Sequence, residues 1–159
     1  MKIRVKEAAV VSHVSEIVAV GIFEQTKRLK GLCAEIDTAT GGMIKEVLRL
    51  GDFRAKLNQA QVFYVRKGLA AKRVLLVGLG KEKDFSVDKL RGVGAAAGRR
   101  VRSLGLERMA LPLEFVKSRG LTPADVASAI TEGVLLGLYS FDEFKSKNND
   151  NGNKPLKEV

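Results

Sequence analysis

The chain has 159 residues, 45% of them apolar and 29% charged, a balance that fits one globular domain and excludes a fibre or wholesale disorder. Its 28 Lys and Arg against 18 Asp and Glu give a formal net charge of +10, which attracts polyanions or simply maintains solubility. The longest apolar run, Ile17 to Phe23, is far short of the roughly 20 residues of a bilayer span. The amino-terminus, Met1 to Lys6, lacks a secretory hydrophobic region, and the lone Cys33 cannot form an internal disulfide, so a cytoplasmic protein without a membrane partner is expected.

In chain order, Ile3 and Val5 alternate with basic residues as in a half-exposed strand. Ile17 to Phe23 reads as a strand covered on both faces. Gln25 to Leu32 reads as a short helix stopped near Gly31, and Asp37 or Thr38 as the cap of a further helix through about Leu50, closed by Gly51. The β-branched and aromatic runs Val62 to Val65 and Val74 to Val77 predict strands on either side of a turn at Lys67-Gly68. Ser86 caps a helix whose Leu90, Val93, Gly94, Ala97, Val101 and Leu104 fall on one face, with Arg91, Arg99, Arg100 and Arg102 on its flanks. Met109 to Leu113 reads as another strand. Thr122-Pro-Ala-Asp125 opens a helix with Val126, Ile130, Val134, Leu138 and Phe141 in its buried stripe. Gly133 and Gly137 on that helix are expected to admit a close approach to a sheet. This alternation predicts an α/β fold, a mixed and largely parallel sheet between two helical layers. The polar run 146–155 reads as a linker, and Leu156 to Val159 as the start of a strand outside a 1–145 domain.

Few residues carry a chemical signature. A zinc site wants three protein ligands, and no usual His or Cys motif can be written with one of each. Asp37, Asp52, Asp84, Asp88 and Asp125 sit at predicted helix starts or turns, where capping explains them. His13 has no partner fixed by sequence. Cys33 follows a predicted helix end, which gives no reason for a lowered pKa. Val77-Gly-Leu-Gly-Lys81 fails as a phosphate loop, because Lys83 breaks Gly-x-Gly-x-x-Gly and Glu82 stands where a Walker lysine needs Ser or Thr next; it reads as a strand-end turn. Gly41-Gly42 reads as a point of close packing, with a ligand loop as the alternative. Arg99, Arg102 and Arg108 are the candidate anion or nucleic-acid contacts. No basic block interleaves with stacking aromatics and Trp is absent, so DNA contact through them is expected to be weak.

Several segments, in this order and spacing, resemble the amino-terminal domain of the leucine aminopeptidase (cytosol aminopeptidase) family. They are Thr40-Gly41-Gly42, Leu50-Gly51-Asp52-Phe53, Arg73 to Lys81, Leu90-Arg91, and Glu132-Gly133 through Tyr139-Ser140-Phe141-Asp142 to Lys145. Ala55 departs from the family's frequent Gly before Lys56, and Phe144 from a frequent Tyr. The resemblance implies a macro-domain-like α/β domain joined to a carboxy-terminal catalytic domain, in hexamers that release amino-terminal residues from peptides with two divalent metals, zinc or manganese. The metal ligands and catalytic residues of such enzymes belong to that other domain, so no catalytic or metal-binding residue is assigned here. The expected function is a non-catalytic domain that assists assembly of the oligomer. The alternative is an independent macro-like module that binds nucleotides or DNA.

Overall fold

The computed structural model describes residues 1–115, 120–139 and 155–159. Its regular elements are β1 (Ile17–Phe23), α1 (Gly31–Ala39), α2 (Met43–Leu50), β2 (Ala60–Tyr64), β3 (Arg73–Gly80), α3 (Val87–Ser103), β4 (Met109–Ala110) and α4 (Pro123–Leu138), with 3-10 turns at Glu82–Asp84 and Leu113–Phe115. The sheet order is β2-β3-β1-β4. β1 runs parallel to both β3 and β4, and β2 closes an antiparallel hairpin on β3.

Burial follows the strand pleat. Ile17 and Ala19 of β1 join Leu75, Val77 and Leu79 of β3 in a core with α3 and α4, while Val18, Val20 and Ile22 join Val74 and Leu76 in a second core with α1 and α2. Successive side chains point to opposite faces, so a strand whose every residue is apolar needs a helical layer on each side. The mixed sheet between helical layers is therefore as expected.

Several local expectations are corrected. No helix spans Gln25 to Leu32; Gln25 sits at φ 59°, and α1 begins at Gly31, where the sequence pattern predicted a stop. Asp37 lies inside α1, yet it still caps α2 from across the turn. Its Oδ1 accepts the Lys45 backbone N–H at 3.0 Å, and its Oδ2 lies 3.2 Å from Lys45 Nζ. A carboxylate only 1% exposed is thereby satisfied. Gly41 and Gly42 are at φ 72° and 86° with open space where a β-carbon would stand, so they serve the left-handed turn and not close packing. Of the predicted strand Met109 to Leu113 only the first two residues pair, and Leu113 already belongs to a 3-10 turn. The glycines of Val77-Gly-Leu-Gly80 lie within β3. A β-carbon at Gly78 would stand 1.9 Å from the Lys56 carbonyl oxygen, so the glycine admits the loop that crosses the strand. Ala55, at the head of that crossing, is buried at φ 56°, a conformation that glycine adopts more readily.

Gly133 and Gly137 do admit a close neighbour, but it is α3 and not a sheet. A β-carbon on Gly133 would lie 2.0 Å from the Arg91 carbonyl oxygen, and one on Gly137 would lie 2.6 Å from Ala95 Cα. The contact is reciprocal, since a β-carbon on Gly94 would lie 2.6 Å from the Ile130 carbonyl oxygen. The two helices run in the same direction and are tied at two points, Arg91 to Glu132 and Arg102 to the Leu138 carbonyl. Arg91 bonds Asp88 and Glu132 at 2.6 Å each, and Arg102 donates to the Leu138 carbonyl at 3.0 Å. Ser86 and Thr122 cap α3 and α4 as expected, the latter in a reciprocal capping box with Asp125. Phe141 and the run 146–154 lie outside the described residues.

Leu156 is buried in the α3/α4 core, and the following backbone forms isolated bridges beside β4 at the edge of the sheet. Met109 N–H donates to the Glu158 carbonyl at 3.0 Å, and Val159 N–H to that of Lys2 at 3.0 Å. Ile3 and Val5 remain exposed, and only Lys2 of that amino-terminal run takes a bridge position.

Substitutions at two positions test this packing. Gly133→Ala is expected to destabilise the chain by about 3 kcal/mol, against alanine's better helix propensity, because backbone blocks the methyl. Asp37→Ala is expected to cost about 1 to 2 kcal/mol through loss of the cap, and Asp37→Asn clearly less. Urea unfolding measures both.

Candidate functional site

Catalytic groupings do not assemble among the described residues. Among the described residues no group of three or more His, Cys, Asp or Glu is placed to hold a metal ion. Cys33 lies in the first turn of α1 and donates to the Gly21 carbonyl at 3.5 Å. Burial pushes its thiol up to about 11, which removes it as a nucleophile near neutral pH. Its position inside a helix differs from the expected place after a helix end.

A cleft of about 840 Å³ opens beside β4. Its walls are the amino-terminal segment from Ile3 to Val10, Leu32 and Glu35 of α1, the exit from β4 at Leu111 to Glu114, and Ile130 of α4. His13 and Arg108 stand on its lining. Neither is joined to a hydroxyl or thiol in a hydrogen bond among the described residues, so the cleft has the shape of a binding groove without a nucleophile and base pair.

The three candidate arginines have different surroundings. Arg102 is turned to the carboxy-terminus of α4 through its bond to Leu138, where a cation meets the negative end of the helix. Arg99 is exposed on α3, with no ion pair to another described residue. Arg108 is exposed at the start of β4; its backbone N–H and that of Glu107 both donate to Glu16 Oε2 at 2.8 Å.

Glu16 also links this corner to the β2–β3 hairpin, since Arg73 Nη1 donates to its carbonyl at 3.5 Å. Tyr64 and Arg73 are cross-strand partners, with the guanidinium carbon 5.4 Å from the centre of the Tyr64 ring. Tyr64 is 71% exposed. Beyond it, Arg66, Lys67 and Lys72 are exposed on the hairpin turn, with no ion pair to another described residue. α3 leaves the end of β3 and returns along it. Seventeen helical residues and eight strand residues each span about 25 Å, so the last turns of α3, with Arg99 and Arg100, come level with the start of β3. The end of the sheet where β1, β3 and β4 begin thus gathers the hairpin cations, the α3 arginines and Arg108. Linear reading missed Tyr64 because its cation is paired across the strands. A signal was nonetheless present: between Asp52 and Glu82 the sequence holds seven Lys or Arg and no acid.

No described helix is long and apolar enough to cross a membrane. Similarity to known proteins agrees with the architecture. A tomato leucine aminopeptidase variant superposes with a TM-score of 0.76 at 25% identity, over 99% of this chain and 32% of that one. The macrodomain of Mycobacterium tuberculosis DarG superposes with a TM-score of 0.69 at 14% identity, over 85% of this chain and 91% of that one, a likeness of fold alone. Among curated sequences, a "Probable cytosol aminopeptidase" of Gloeothece citriformis is 32% identical over 97% of this chain and 31% of its own length. A second, of Roseiflexus castenholzii, is 34% identical over 92% of this chain and 27% of its own length. The chain therefore spans under a third of these relatives. Residues 19–148 match the N-terminal domain of the cytosol aminopeptidase family, and the chain belongs to that family.

Proposed function

We propose that the chain acts as the non-catalytic amino-terminal domain of a cytoplasmic, metal-dependent leucyl aminopeptidase, packed against a carboxy-terminal catalytic domain and assisting assembly of the hexamer. The observation that carries this reading is the family match over residues 19–148 by a chain that spans 27% to 31% of its relatives' lengths. The absence of a metal-ligand grouping among the described residues is compatible with it. Zinc or manganese would be held by the catalytic domain, where two such ions activate water and polarise the scissile carbonyl. The role left to this chain is structural. It offers a rigid three-layer body, with an amino-terminal segment and residues 157–159 laid along one edge of the sheet.

Two readouts test the proposal. The purified chain is expected to show no turnover of a leucine anilide with added manganese or zinc. Substituted for the amino-terminal third of a full-length relative, it is expected to give an active oligomer. Metal-dependent turnover by the chain alone, or an inactive, monomeric and folded chimera, contradicts the reading.

A further inference from the structure

We propose that the cleft beside β4 is a slot for one more extended strand, and that its occupant is the polypeptide leading from Val159 towards the catalytic domain. The slot stands on geometry alone, while its occupant rests on the aminopeptidase reading proposed above. Residues 157–159 lie between β4 and the amino-terminal segment, with Glu158 bridged in parallel to Arg108 on one side and to Lys2 on the other. Two strands that share a neighbour stand about 10 Å apart. Beyond Val159, therefore, β4 and the amino-terminal segment flank a gap one strand wide. The cleft is that gap, since Arg4, Lys6, Met109, Leu111 and Val159 all line it.

The backbone along the gap is in phase for a parallel strand. In an extended chain a residue's N–H and C=O point to one edge and those of its neighbour to the other. Met109 N–H donates to the Glu158 carbonyl at 3.0 Å, and Arg4 N–H to that of Val159 at 2.9 Å. The Met109 carbonyl and Leu111 N–H therefore face the gap from one side, and the Arg4 carbonyl and Lys6 N–H from the other. No backbone bond joins these groups to one another among the described residues. Open edges of this kind recruit a further strand. The surrounding side chains call for an apolar one: Ile3, Val5, Val14 and Leu113, each at least 43% exposed, line the cleft with Leu32 of α1 and Ile130 of α4. A parallel strand tethered at Val159 meets all of these at once, whereas a separate peptide would have to begin in abutment with Val159. The relatives have the length for it, since this chain spans 27% to 31% of them.

The experiment is amide hydrogen exchange, read by mass spectrometry on peptides covering residues 3–7 and 108–112. It compares the chain with two extended forms, one carrying Thr-Val-Thr-Val-Thr-Val after Val159 and one carrying Gly-Ser-Gly-Ser-Gly-Ser. The β-branched extension is expected to slow exchange in both peptides about tenfold, and the Gly-Ser extension to leave it unchanged. In the β-branched form, Lys6→Pro removes a donor that faces the slot and is expected to restore fast exchange over 108–112; Val5→Pro, whose lost N–H faces the other edge, is expected not to. Fast exchange in both extended forms, or equal slowing by both, would overturn the slot. Slowing in the unextended chain that grows with protein concentration would place a second copy there and overturn the tethered strand. The occupant is tested in the chain fused to the carboxy-terminal portion of the Roseiflexus castenholzii relative, where the same slowing is expected. A folded fusion without it would overturn the occupant. A fusion that shows the slowing yet is inactive and monomeric would uphold the slot and contradict the assembly role alone.

Discussion

Two adjacent strands, β1 and β3, are apolar at nearly every position, and neither face of the sheet they form tolerates water. The rest of the molecule answers that constraint. α1 and α2 cover one face and α3 and α4 the other, so each strand contributes alternate residues to two separate cores. Two parallel helices that share one face of a short sheet must lie close together, and glycines provide the space. Gly94 and Gly98 on α3 face Ile130 and Val134, while Gly133 and Gly137 on α4 face Arg91 and Ala95. Glycine lowers helix propensity by about 1 kcal/mol at each such position, a loss offset by backbone contact along the pair.

The long elements were readable because their chemistry is local. β1 and β3 announce themselves by uninterrupted burial. α3 and α4 have capping residues and a helical stripe, and Gly51 ends α2 in the left-handed conformation expected of it. Several departures share one cause, an interaction with another segment. Asp37 was recognised as a cap for the following helix but not as a residue within the preceding one, because its acceptor role crosses a turn. Gly133 and Gly137 were recognised as approach points, yet pattern alone does not distinguish a helix from a sheet as the neighbour. The strand expected over Met109 to Leu113 stops early, because β1 pairs only Ile17 and Val18 with Met109 and Ala110. Leu156 to Val159 pairs with residues near both the start of the chain and β4, a register no local pattern encodes.

The site was less legible than the fold. Arg99, Arg102 and Arg108 were grouped because they are near in sequence, but Arg102 faces the end of α4 and Arg108 sits beside Glu16. The hairpin cations belong to the same end of the molecule through topology: a helix that returns along the strand it follows brings its last turn to where that strand began. Tyr64 becomes notable only once Arg73 is known to be its cross-strand partner. Charge summed over the chain says little about a partner; placed on the fold, the hairpin cations and the α3 arginines come to the same end of the sheet.

The central claim is that the α3–α4 contact and the doubly buried strands form one cooperative unit. Amide hydrogen exchange of the intact chain tests it directly, with and without Gly133→Ala. The account predicts the slowest exchange at Val18 to Val20 and Leu75 to Val77, and in the variant a parallel loss of protection in these strands and in α3 and α4. Protection of the strands left unchanged while α4 alone opens would contradict it.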